Sequence, residues 1–222
     1  MQSNIVTAQP TEGIVSKKLF IPEFSGNTID YSDNAIIFTT LPPVKLGTTL
    51  DDEPDNWMEC VLAGHIKCQI LSTLGFLHPI EKTAGRKVYH HVEPSPFGGL
   101  GVFATHPVHT GDLIIAERPL LILPCGFEMT TRPGSKGLSE EEIIQVTMHK
   151  EEEHLGVAVK RMTGENWKVF MALANSHTED GSGPILGIVH TNAYKVSGLY
   201  DGHEDDIAKS YTAVLNTSVT HR

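Results

Sequence analysis

Within this 222-residue chain, the stretch Gly98-Gly99-Leu100-Gly101-Val102-Phe103-Ala104 has the residue types and spacing that first suggest chemistry. Gly99 to Ala104 fits a relaxed G-x-G-x-x-G/A pattern. In dinucleotide-binding proteins that turn opens a helix, whose N–H groups hold a pyrophosphate. Here the turn runs into Val-Phe-Ala-Thr-His-Pro. These residues are β-branched and aromatic, and Pro107 stops them, so the pattern predicts no helix and no dinucleotide cradle. Two readings stay open. The glycines could serve a tight hairpin, supplying positive φ at no steric cost. Alternatively, the missing side chains let a ligand lie against the backbone, where N–H and C=O groups would bond an amine or a carboxylate. Spacing does not separate the two.

Twelve histidines and three cysteines raise the question of a metal. A closed zinc site needs four convergent ligands. His106 and His109 flank Pro107 at a turn, and His149 and His154 fall on different faces of a helical stretch. His65 and Cys68 share a helix face without a second ligand pair, so no metal is expected. Cys60, Cys68 and Cys125 have no short paired spacing, which predicts reduced thiols packed as small hydrophobes. No Gly-x-Ser-x-Gly elbow and no local nucleophile–base pair occurs, and no catalytic residue is assigned.

The formal net charge is −10, and the densest charge cluster, Asp51, Asp52, Glu53 and Asp55, is acidic. Nucleic-acid binding needs clustered Lys and Arg, so direct contact with nucleic acid is not expected. The first residues, MQSNIVTAQPTEG, lack the basic and apolar regions of a signal peptide, and no run has the length of a membrane span. The expectation is a soluble intracellular protein, nuclear or cytoplasmic, with no membrane partner.

The elements that would position these residues follow from periodicity. Residues 1–54 read as an irregular N-terminal extension with a strand near 35–40. Residues 55–85 read as an N-terminal helix and linker. Trp57, Val61, Leu62, Ile66, Ile70 and Leu74 share one side of that helix, Asp55 or Asn56 is its N-cap, and Gly75 is its stop. From residue 86 the pattern predicts a strand in RKVYHHVEPS, another in GGLGVFAT, and one or two in DLIIAERPLLILP. A helical insertion covers about 138–176. It opens on a Ser139/Glu142 capping box, continues in a piece near 153–162, and ends on Trp167, Phe170, Met171 and Ala174. A strand around 186–194 and a last strand, YTAVL, complete an α+β arrangement.

Residues 86–124, with the G-x-G turn, the V-F-A strand, the His109-Thr110-Gly111-Asp112 turn and Ala116-Glu117-Arg118-Pro119, resemble the N-terminal segment of a SET domain. The pieces ALANSHTEDGSGPILGI and TNAYKVSGLYDG are similar to fungal SET proteins of the SMYD-like branch. The resemblance covers about 55–222. It implies a SET-like β fold with a helical insertion and an N-terminal helix. It also implies S-adenosylmethionine as cofactor and a protein-lysine methyltransferase relationship, with a histone or non-histone protein as substrate or partner. Carried over by position, Gly98, Gly99, Leu100 and Gly101 would lie along the methionine part of the donor, and Asn192 in TNAY would reach it from a neighbouring strand.

The family continues into an Asn-His-Ser-Cys motif and a later tyrosine, and neither follows here; Asn175-Ser176-His177 has the residue types in another order. The expectation is therefore a C-terminally truncated, incomplete SET-like domain, inactive as this chain. The alternative is a non-catalytic interaction module that accepts a partner strand at an open sheet edge at 210–215. A sheet lacking its final strands would also leave Leu120–Leu123 and YTAVL uncovered.

Overall fold

A computed structural model describes residues 5–6, 19–20, 36–42, 57–78, 89–97, 100–125, 137–199 and 210–215. Among them the strands are β1 (Ile5–Val6), β2 (Leu19–Phe20), β3 (Ile36–Leu41), β4 (Met58–Ala63), β5 (His90–Pro94), β6 (Leu100–Ala104), β7 (Leu121–Pro124), β8 (Ala193–Val196) and β9 (Tyr211–Val214). The helices are α1 (Gly64–Ser72), α2 (Glu140–Val159), α3 (Gly164–Met171) and α4 (Pro184–Asn192). Seven strands form one mixed sheet in the order β1-β2-β3-β4-β7-β9-β8, and β5 and β6 form a separate antiparallel hairpin. The fold is α+β.

β3 and β4 occupy the middle of the large sheet, antiparallel from Ile36 opposite Ala63 to Leu41 opposite Met58. All six residues of each are buried. A strand covered on both faces reads as a continuous apolar run instead of an alternating one. That explains the main difference from the sequence pattern. Met58-Glu59-Cys60-Val61-Leu62-Ala63 forms strand, and the helix expected from Trp57 begins at Gly64. Asp55 and Asn56 lie outside the described residues. The residue at the N-cap is Ala63, with no side-chain bond, and Leu74 lies beyond the helix and is fully exposed. Gly75 takes φ +82° in the turn after the helix, the left-handed region that favours glycine.

Strands from either side of the divisions drawn at 54/55 and 85/86 meet in one sheet. β3 and β4 share one sheet and one core with β7, β8 and β9. Parallel pairing of β4 with β7 makes the join, with Glu59 opposite Leu121 and Cys60 opposite Ile122.

Helix α2 carries the expected capping box: Ser139 Oγ accepts from the Glu142 N–H at 3.2 Å, and Glu142 Oε2 accepts from the Ser139 N–H at 2.7 Å. The helix runs unbroken to Val159, taking in most of the separate piece expected at 153–162. Its C-terminal turns bury Leu155, Ala158 and Val159, and α3 adds Phe170. Trp167 is half-exposed, so the expected apolar stripe of α3 is buried at Phe170 and open at Trp167.

Two further expectations change. Residues 184–192 form a helix, and the strand begins only at Ala193. Pro184 at the first turn is preorganised for a helix, and a short apolar run such as Ile-Leu-Gly-Ile-Val does not by itself distinguish helix from strand. β9 is not an open edge, because it pairs with β7 on one side and β8 on the other. Nor are its apolar residues uncovered: Leu120–Leu123, Tyr211, Ala213 and Val214 are all buried. Tyr211 reaches far enough through the core for its hydroxyl to accept from the Ala63 N–H at 3.2 Å.

The sheet and its helical layer are also joined by a buried charge pair. Arg161, just past α2, donates through Nε to Glu59 Oε2 at 3.1 Å, while Thr40 donates to Glu59 Oε1 at 2.6 Å. Burial pushes the Glu59 carboxyl up, and Arg161 and the Thr40 hydroxyl act against it.

Candidate functional site

Of the glycine-rich stretch, Leu100 and Gly101 are described, and they open β6. β5 and β6 pair from His90 opposite Ala104 to Pro94 opposite Leu100, with Gly101 opposite Glu93. Val92 and Val102 are paired β-branched residues, suited to a pleated surface. His91 stacks on Phe103 with ring centroids 5.9 Å apart and contacts Glu93 at 3.2 Å. The described bonds reach outward from the hairpin's base, where His90 Nδ1 donates to Ile114 O at 3.1 Å and Thr105 N–H donates to Tyr89 O at 3.0 Å. A Cβ at Gly101 would meet the Phe103 ring of the same strand at 2.7 Å. Val102 is half-exposed on one face of β6, while Gly101 and Phe103 share the other, less exposed face.

Gly98 and Gly99 lie outside the described residues, as does the side chain of Leu100. Asn192 ends α4, on a different element. Among the described residues no hydrogen bond or ion pair joins the β5–β6 hairpin to α4. Gly101 thus lies in β6 and Asn192 at the end of α4.

Asn192 belongs to a dense polar framework running from Ala174 through α4. Its Nδ2 donates to Ala174 O and to Ile188 O, both at 2.7 Å. Both amide N–H groups are thus used by the fold, and the carbonyl Oδ1 is what remains to accept from a ligand. One turn earlier, Thr191 donates to Gly187 O at 2.8 Å and accepts from the Ser176 N–H at 2.9 Å. With the Thr191 proton so committed, the Ser176 hydroxyl is the donor in their 3.1 Å contact. Asn175 Oδ1 accepts from the His177 N–H at 2.8 Å, and its amide packs where a Gly187 side chain would stand.

Helix α4 has no side-chain cap of its own at Gly183. Glu152, in the middle of α2, supplies one: its carboxylate accepts from the Ile185 N–H at 3.1 Å and the Leu186 N–H at 2.7 Å. An anion there also faces the positive end of the α4 dipole. Any side chain at Gly183 would run into that carboxylate, and one at Gly181, where φ is +90°, would run into the Gln145 amide.

Beside this framework His177 donates through Nδ1 to Asp180 Oδ2 at 2.6 Å and meets His190 edge-to-face with centroids 5.1 Å apart. The bond from His177, with the Ser182 N–H, holds the Asp180 carboxyl down at about 2. Burial, then the neighbouring His177 charge, pushes the His190 imidazole below its ordinary value.

Asn175-Ser176-His177, set aside by its order in the sequence, is thus the loop that docks α4. Glu152, Thr191, Asp180 and His190 carried no sequence signal, because each acts on a partner in another element or across a loop. Pro184 before an apolar run was the one local cue to the helix they serve. Cys60 is buried as a small hydrophobe, Cys125 partly so, and Cys68 is exposed. Among the described residues no three His, Cys, Asp or Glu side chains converge as metal ligands, and no helix is long and apolar enough to cross a membrane.

No family model matches the chain, and no curated protein or solved structure matches it either.

Proposed function

We infer that the chain carries a SET-like methyl-donor fold resembling S-adenosylmethionine-dependent protein-lysine methyltransferases. The donor's methionine end lies along Gly98, Gly99, Leu100 and Gly101, with Asn192 as a second contact. The observation that carries this reading is that the G-x-G turn leads into a strand, β6, instead of opening a helix. That removes the pyrophosphate cradle and leaves a strand backbone from which a zwitterionic amino-acid group can be bonded. Asn192 contributes as an acceptor through Oδ1, suited to an ammonium group.

This reading assigns donor contact to the chain, and not turnover. The sequence contains no Asn-His-Ser-Cys segment, and Tyr211 is buried with its hydroxyl on the Ala63 N–H, so it is no counterpart of a lysine-channel tyrosine. Methyl transfer requires the amine and the sulfonium methyl to be aligned and desolvated together. The partner is a protein, histone or other, in the nucleus or cytoplasm.

Calorimetric titration with S-adenosylmethionine, S-adenosylhomocysteine and NAD tests the reading. Saturable binding of the first two without NAD is expected, with no label passed to protein lysines. Binding of neither donor form overturns the donor site, and label transfer overturns the inactivity. A second reading, a non-catalytic interaction module on the same surface, is favoured by β8. Among the described strands it ends the sheet, with Tyr194 exposed, and it could accept an extended peptide. A protein partner whose binding is blocked by Val196→Pro, with donor binding absent, would select it.

A further inference from the structure

A cavity of about 390 Å³ lies between α2, α4 and the strands β7, β8 and β9. Leu123, Leu155, Leu186 and Val189 make its walls largely aliphatic, and Glu151 from α2, His190 from α4 and the Cys125 thiol add three ionisable groups. The three consecutive glutamates of α2 have separate fates. Glu152 is taken up by the N–H groups of α4, and exposed Glu153 contacts His149 at 3.7 Å. Glu151 is half-buried at the cavity, and among the described residues no hydrogen bond or ion pair engages its carboxylate. An acid in an apolar wall without a counter-charge is expected to resist ionisation, and burial alone pushes the Glu151 carboxyl up.

We propose that this cavity binds a small alkylammonium compound, its ammonium on the Glu151 carboxylate beside the His190 imidazole and its aliphatic body against Leu155, Leu186 and Val189. The sign of the ligand follows from charge complementarity with Glu151, the one carboxylate among the lining residues. The aliphatic body follows from the walls, and the size from a volume at the small end of ligand pockets, room for about a dozen water-sized groups. The ammonium contributes N–H donors to a carboxylate that has none, and hydrogen bonds to charged groups are the stronger class. Among the described residues, neither Gly101 nor Asn192 lines this cavity, so the inference does not rest on the donor site.

The test titrates the full chain with n-hexylammonium, hexanol and hexanoate, followed by calorimetry or ligand-observed NMR. Hexylammonium binds saturably, hexanol binds roughly tenfold or more weakly, and hexanoate does not bind. Glu151→Gln brings hexylammonium down to the level of hexanol, whereas Glu153→Gln, on the same helix but off the cavity, leaves its affinity within about twofold. Shortening the probe to butylammonium weakens binding about three- to fourfold per methylene lost. That series and the alcohol comparison use the native chain, so they decide the matter even if Glu151→Gln fails to fold. Equal binding of hexylammonium and hexanol, an affinity unchanged by Glu151→Gln, or no binding of hexylammonium overturns the proposal.

Discussion

The β5–β6 hairpin and the segment from Ala174 to Asn192 both depend on glycine, and they use it in opposite ways. At Gly101 a side chain would meet chiefly its own strand's Phe103. At Gly183 and Gly187 it would strike Glu152 of α2 and Asn175 at the segment's own start. The first glycine is a ladder position opposite Glu93, met only by side chains of its own hairpin. The second pair lets side chains close on backbone, so the polar groups there are spent on the fold itself. Asn192 falls in the second region. Its likeness to a donor-binding asparagine therefore comes with a structural duty, and a mutation there tests both roles at once.

The largest expected effect comes from the anchor beneath the second region. Arg161→Ala leaves the buried Glu59 carboxylate without its cation and should cost about 3–5 kcal/mol, read from chemical denaturation. A cost under about 1 kcal/mol would mean that Glu59 simply takes up a proton. Next comes Glu152→Ala, which strips two N–H caps from α4 and should cost about 2 kcal/mol. Amide exchange at Ile185 and Leu186 should rise well before exchange in β5 or β6. If the hairpin loosens equally, the two regions are one cooperative unit and the contrast fails.

Asn192→Ala removes two bonds and should cost about 1–2 kcal/mol. Asn192→Asp keeps an acceptor but loses the donors to Ala174 and Ile188. Donor affinity retained in Asn192→Asp and lost in Asn192→Ala would sharpen the contrast, assigning Oδ1 to the ligand and Nδ2 to the fold. Acid acts on the second region through Asp180. The Asp180 carboxyl is held at about 2 against an ordinary 3.8, so its bonds to His177 and Ser182 are intact above the ordinary value and are lost as pH falls towards 2. The His177 ring resonances should shift over that interval as its Asp180 partner takes up a proton. Smallest of all, Gly101→Ala should change global stability by less than about 0.5 kcal/mol, since the Phe103 ring can swing aside. A larger loss would show that the hairpin is tied into the core.

What was legible in the sequence had local causes. The Ser139/Glu142 box marked the start of α2, because both partners lie within one turn. The strand near 35–40, the strands of the hairpin and the strand in YTAVL showed in β-branched and aromatic runs bounded by turn residues. β4 was missed because Trp57, Val61, Leu62, Ile66 and Ile70 are spaced as well for a helix as for a buried strand leading into one. The helix at 184–192 was missed because its cap comes from Glu152, more than thirty residues earlier. At the candidate site the sequence marked Gly101 and Asn192 but not the bonds that occupy Asn192, which depend on where Ala174 and Ile188 place their carbonyls.

By itself, the sequence determined an α+β chain with an acidic, helix-capped insertion and a glycine turn that enters a strand. Those features follow from torsional preference and from contacts within a few residues. Only the tertiary structure decided that β4 fills the middle of a seven-stranded sheet and that β9 is an inner strand. It alone decided that Asn192 faces the chain's own carbonyls and that Glu151, of three adjacent glutamates, remains unengaged at a cavity. Each of these depends on which groups are brought together from distant positions, and burial and charge pairing take their values from that arrangement.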